Sequence, residues 1–371
     1  MSQSSGTVTG FASVIVDGTE FHDDEVTPVA EREPGVIRPA EAKLGQFVEL
    51  EFERLNGEFR ARSIRLDAAV VGYVSAVSAA EGVLEVMGQT VFENDNADGG
   101  PVTLYAGVTG LDGLSAGDAV EVHGMPRYNS LTRRYDVQAT RIEKLSSAPT
   151  ALRVAGVVTS LRDTESPGRF QLGGLVVDRS AAVLLPQGRE PTAGARVVVW
   201  ASEAPRDGVL TATGVRTVER MVGATELPAR LGGSVSAHDV QAKRFDLAGV
   251  TVSYAAAEIV PPQRPLTDGA YVQAEGVYDT QGVLQASRVR ISRSADADFR
   301  EVRLKGRISR FAGLTSFLVR GTEVDASGIS DFEGCGARPL VNDRRVEIEG
   351  RVLSGRRPGS VVWATRLKCE D

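Results

Sequence analysis

Between Val48 and Glu53 apolar and acidic residues alternate strictly, with Val48, Leu50 and Phe52 on one face of an extended chain and Glu49, Glu51 and Glu53 on the other. A period of two with charge on one side predicts a half-buried β-strand. Asn56-Gly57 follows directly, a dipeptide suited to the positive φ angles of a tight hairpin turn, and Glu58 to Leu66 predicts the returning strand. The pattern recurs. Segments beginning at Val48, Val120, Val197, Val272 and Val346 each carry an apolar or small residue two positions on (Leu50, Val122, Val199, Ala274, Ile348), at intervals of 72, 77, 75 and 74 residues. Each is followed by an alanine with an aliphatic three residues later: Ala61 and Ile64, Ala139 and Ile142, Ala212 and Val215, Ala286 and Val289, Ala364 and Leu367.

Two further signatures precede these in every copy. The first is Gly, any residue, Val or Ile, then Ser or Thr, starting at Gly6, Gly72, Gly156, Gly233 and Gly306. The second is an alternating run into a turn glycine, spaced identically five times: Val14, Val16, Gly18, Phe21; Leu84, Val86, Gly88, Val91; Phe170, Leu172, Gly174, Val177; Phe245, Leu247, Gly249, Val252; Phe317, Val319, Gly321, Val324. Self-similarity at a fixed period decides the organisation before anything else. The chain divides into five units, residues 1–67, 68–147, 148–222, 223–294 and 295–371.

Between the second and third signatures lies a connection of some 20 to 30 residues, such as Asp23 to Gln46 or Asn94 to Asp118. It is too long for a hairpin loop and predicts one more strand and a short helical turn. Four or five strands with one long connection in units this small suit an OB-like Greek-key barrel, with a small open sandwich as the alternative. The inter-unit joints are short: Asp67 to Val71, Ser146 to Arg153, Met221 to Leu231 and Ser292 to Arg303, the last two being long enough to bend. The expectation is an all-β chain of five tandem small OB-like β-barrel domains in an elongated, beaded string.

Composition agrees with a globular all-β chain, with 40 glycines, 16 prolines and no apolar run of membrane-spanning length. The net charge of -7 disfavours nucleic acid, whose phosphates call for a basic surface. Charge is also polarised. Residues 1–67 hold seven Lys or Arg against thirteen Asp or Glu, a net of -6, and residues 300–371 hold fourteen against ten, a net of +4. End-to-end self-association of two copies, weak and screened by salt, is therefore expected. The start, Met1 to Gly6, has neither a basic nor an apolar signal region.

The order Gly-x-Val-Ser/Thr, alternating run to a turn glycine, Leu114-Ser-Ala-Gly-Asp-Ala-Val-Glu-Val122 and Ala139-Thr-Arg-Ile-Glu143 resembles the bacterial family called domain of unknown function 5666. Unit two matches closely and unit four fairly well, while units one, three and five depart in the long connection. The resemblance implies extracytoplasmic β-barrel units in tandem behind a secretory signal or a lipoprotein signal, the latter with a lipid anchor upstream, and places the protein in the periplasm or at the cell surface. The family carries no known catalytic residues.

Candidate chemistry is sparse. His22, His123 and His238 lie in three units at non-equivalent positions, and His123 shares the outward strand parity of Glu51, Glu275 and Glu349, which predicts a solvated side chain. No spacing of His and Cys suits a metal, and no phosphate loop or dinucleotide fingerprint is present, so no cofactor is implied. Asn94-Asp95-Asn96-Ala97-Asp98-Gly99 imitates the start of a calcium loop, but Tyr105 stands where the bidentate Glu belongs. It reads as a polar turn. Tyr128, Arg133, Arg134 and Tyr135 interleave aromatic and basic residues at a hairpin tip, as OB-like barrels do for oligonucleotides or oligosaccharides. Trp200 points away from its own barrel core, toward a neighbouring unit or a partner. Cys335 and Cys369, the only cysteines, both fall in unit five and are expected to form a disulfide, which would place the chain in an oxidising compartment. The function expected is a non-enzymatic cell-envelope scaffold or binding protein for a protein or polysaccharide partner. The alternative is an OB-type single-stranded nucleic-acid-binding protein.

Overall fold

The structure is a computed structural model that describes residues 2–370 apart from 24–25, 97–98, 130, 133, 162–167, 219–227, 292–300, 331, 337–339 and 354–360. Within these residues the chain is all-β, and each repeat is a small closed barrel. Unit two shows the plan. Five of its strands form the barrel: Val70–Ser78, Val83–Val86, Gln89–Phe92, Ala119–Asn129 and Arg134–Lys144. The first pairs antiparallel with the second and the second with the third, while the third runs parallel to the fifth at Val91 and Val137. The fourth pairs antiparallel with both the fifth and the first. The order one-two-three-five-four therefore closes on itself as a barrel. Its long connection holds the strand Leu104–Ala106, parallel to the fifth, and the 3₁₀ turn Leu111–Gly113.

The sequence signatures meet one another in this barrel. The signature glycine of the first strand lies opposite the signature valine of the fourth in every unit: Gly6 and Val48, Gly72 and Val120, Gly156 and Val197, Gly233 and Val272, Gly306 and Val346. The fourth-strand residue two positions on faces the closing aliphatic just as regularly: Leu50 and Ile64, Val122 and Ile142, Val199 and Val215, Ala274 and Val289, Ile348 and Leu367. These are the cross-strand pairs that hold a barrel wall, and nearly all of their apolar members are buried. The second signature is a hairpin whose turn begins with a residue at positive φ in all five copies, at Asp17, Met87, Gly173, Ala248 and Arg320. Asn56-Gly57, at φ 53 and 90, forms the predicted tight turn. Most of the joints at Met221 to Leu231 and Ser292 to Arg303 lie outside the described residues.

The expectation of beads that meet only their chain neighbours is corrected. The first strand of unit one, Ser2–Phe11, runs parallel to the first strand of unit four over Gln3 to Ser5 and Ala229 to Leu231, and touches unit five where Phe11 lies beside Leu304. Units one and five share one apolar core, and units two and three share another. In unit one the long connection forms an added hairpin, Val29–Glu33 and Val36–Pro39, whose Pro34 rests against Gly214 of unit three. The Leu44-Gly45 segment accepts hydrogen bonds from Arg141 and Thr140 of unit two. Unit one thus contacts all four others. Small barrels each bury little apolar surface, and covering one barrel with the rest removes far more of it from water than a string would.

Candidate functional site

Where units one, two and three converge, charge is buried. Asp67, at the end of the closing strand of unit one, is wholly inaccessible and accepts hydrogen bonds from Arg153 and Arg196. Arg196 also donates to Glu49 Oε1 at 2.7 Å and stacks 5.4 Å over the Phe47 ring. Burial alone would raise the Asp67 pKa, but the guanidinium groups of Arg196, Arg153 and Arg216 outweigh it and hold the carboxyl far below the usual carboxylate range. Nearby, Arg216 Nε lies 2.9 Å from Glu31 Oε2 on the added hairpin, and Arg65 lies 3.5 Å from the same oxygen. The pairs of Arg153, Arg196 and Arg216 with Asp67, Glu49 and Glu31 clamp unit three onto unit one.

The clamp forms one wall of a cleft of about 730 Å³ between units one, three and four. Arg65, Arg196 and Arg216 alternate there with Glu31, Glu49 and Glu51, against an apolar side that includes Ile37, Leu247 and Tyr278. A second cleft, of about 550 Å³, lies between units one and two under the Leu145 to Ala151 joint. At its base His123 is 1% exposed, and this corrects the expectation of a solvated histidine. The strand parity is right, since the side chain does leave its own barrel, but the outward face is the seam with unit one. His123 Nδ1 accepts from the Phe47 backbone N–H at 3.3 Å, and Nε2 lies 2.9 Å from Glu121 Oε1. Burial pushes Glu121 up, but the His123 contact and the charges of Arg32 and Lys43 bring it down to about 2. Both clefts carry positive and negative side chains on their walls.

The sequence-derived sites fare unequally. Tyr128 and Tyr135 do face one another across the hairpin, with ring centroids 5.2 Å apart, and Arg134 is exposed beside them near Gly174 of unit three. Arg133 lies outside the described residues. Trp200 leaves its barrel core as predicted, but it is fully buried with Val198 and Ala155 of its own unit and offers no surface to a partner. In the calcium-like segment, which the described residues leave incomplete at 97–98, Asn94 donates to the carbonyls of Gly100 and Pro101. It braces a turn. Among the described residues no group of His, Cys, Asp and Glu could hold a metal. Cys335 and Cys369 are joined as a disulfide, with Cα atoms 4.9 Å apart.

One arrangement escaped the sequence. Ser13 Oγ lies 3.3 Å from His22 Nδ1, and His22 Nε2 lies 3.8 Å from Glu58 Oε2, all within unit one. Serine, imidazole and carboxylate stand in the order used for acyl transfer. Yet Ser13 is buried, the carboxylate stands beyond hydrogen-bond reach of the ring, and neither cleft opens on the serine. The only sequence signal was the hairpin register that brings residues 13 and 22 to its two ends.

Comparison with known proteins follows the barrels. The family model described as domain of unknown function (DUF5666) matches residues 71–143, 233–290 and 305–368, just over half of the chain. Those segments are units two, four and five. No curated protein matches. A solved structure, drosophila Unr CSD456, is 14% identical, covering 60% of this chain and 98% of its own, with a TM-score of 0.16.

Proposed function

The chain belongs to the DUF5666 family of domains of unknown function, and on that premise we propose that it is a non-enzymatic scaffold or binding protein of an oxidising, extracytoplasmic compartment. The observation that carries this reading is the Cys335–Cys369 disulfide, which ties the long connection of unit five to its closing strand. A structural bridge of this kind persists in the periplasm or outside the cell and is rare in the cytosol. The packing of four barrels around the first supports a rigid platform, and the cleft of about 730 Å³ between units one, three and four gives it a concave surface. With both charge signs on its walls and an apolar side, that cleft suits an extended polar partner such as a peptide segment or a polysaccharide chain.

Alkylation of the protein recovered from its native host, followed by intact mass, tests the compartment. The expected result is no alkylated thiol before reduction and two after it, in material from the cell envelope. Two alkylated thiols in unreduced protein from the cytosol would overturn the proposal.

A further inference from the structure

Asp17 begins the first hairpin turn of unit one at φ 47, the position that Met87, Gly173, Ala248 and Arg320 take in the other units. Here alone the turn residue is a carboxylate, and its side chain folds under the turn into the seam with unit four. Oδ1 accepts hydrogen bonds from Tyr271 Oη at 2.7 Å and from the Thr7 backbone N–H at 3.3 Å. Oδ2 is buried with no partner. It lies against two glycines, Gly6 of unit one and Gly232 of unit four, where an added Cβ would come within 2.0 and 1.8 Å of it. Tyr271, across the seam, is itself fully buried.

We propose that the seam between units one and four is a proton-controlled latch, closed while the Asp17 carboxyl is protonated and loosened when it ionises. An ionised carboxylate with one oxygen sealed between glycine backbones has lost its water without full replacement. The groups around it do not make up the loss. Tyr271, held protonated by burial and by Asp17, gives one hydrogen bond. Arg290, on the closing strand of unit four, attracts the anion without a hydrogen bond among those the carboxyl makes. Of the other charges at the seam, Arg230 pairs with Glu275 at 3.1 Å and binds Thr19 Oγ1, within the field of Arg54, Arg288 and Arg290. Burial accordingly raises the Asp17 carboxyl to about 7, against the lowering effects of Tyr271, Thr7 and Arg290.

The sign follows from which state holds the proton more tightly. The closed seam does, so its advantage is complete below the ordinary carboxylate range and falls as pH rises toward about 7. Across that window the closed-to-open ratio drops by up to about tenfold per pH unit and then levels off.

Amide hydrogen exchange between pH 5 and 8.5, corrected for the chemical exchange rate, reads the latch in the full chain. Protection over Gln3 to Ser5 and Ala229 to Leu231 should fall with rising pH and flatten above neutrality. The seam of Val70 and Val71 with Val154 and Arg153 should stay constant over that range. Asp17→Asn should abolish the dependence. Tyr271→Phe, which removes a hydrogen bond to the anion, should move the midpoint upward. Protection at the first seam that is independent of pH in the wild type, or equally pH-dependent in Asp17→Asn, overturns the latch. Should Asp17→Asn not fold, an unmoved midpoint in Tyr271→Phe overturns it.

Discussion

Asp67 shows how a single residue holds two barrels. It is wholly buried and bonded to two arginines from unit three, so its loss leaves Arg153 and Arg196 without their shared counter-charge. Asp67→Ala should destabilise the protein by about 3 to 5 kcal/mol in denaturant unfolding, the range for breaking a buried pair from one side. Arg62→Ala, which removes the exposed partner of Glu53, should cost less than about 1 kcal/mol. Equal costs would mean that the buried cluster does not clamp the units. The Ser13, His22 and Glu58 array carries its own prediction. A fluorophosphonate probe should not label the wild-type protein, because Ser13 is buried. Labelling that disappears in Ser13→Ala would make the protein an enzyme. His123 marks the limit of reading a residue from sequence: strand parity tells which way a side chain leaves its barrel, and nothing local tells whether water or another barrel waits there.

At the level of the strand, the repeat was legible because its signatures are the pairs that close each barrel. Gly6 opposite Val48 and Leu50 opposite Ile64 recur in all five units, so the periodic pattern and the hydrogen-bonded register carry the same information. A second regularity lay in the chain unread. Four residues after the signature valine, units two, four and five have Gly124, Gly276 and Gly350. Each sits at a bulge in the fourth strand, where a Cβ would lie 2.2 Å from Gln138 O, 2.1 Å from Gln285 O and 2.5 Å from Trp363 O. Glycine within a strand often marks such a bulge. Gly276→Ala should therefore cost about 1 to 3 kcal/mol, the usual range for overpacking, measured as a shift in the unfolding midpoint. An unchanged midpoint would show that the bulge can open at no cost. In unit five the disulfide closes a loop across 34 residues. Its removal in Cys335→Ser with Cys369→Ser should cost roughly 3 to 4 kcal/mol in the chain-entropy model, with hydrogen exchange rising in unit five first.

For the whole molecule the sequence misled. Five similar units with short joints suggested a string, because repeats in many solenoids meet only their neighbours. What joins these units out of order has no period: one aspartate and three arginines, an added hairpin reaching Gly214, a three-residue parallel pairing to unit four, and Phe11 beside Leu304. Each contact is written once in the chain, so comparing the copies averages it away. Only the added hairpin lies where unit one departs from the shared pattern, in its long connection; the others come from its first strand and from Asp67 after its closing strand. The acidic first unit and the basic fifth, whose opposite charges suggested association between molecules, touch within the same chain. Small-angle scattering from dilute protein tests the arrangement of the units around the first most directly. A radius of gyration close to about 21 Å, the value for a compact chain of this length, is the predicted result. A profile of an extended rod, several barrels long and one barrel wide, would contradict it.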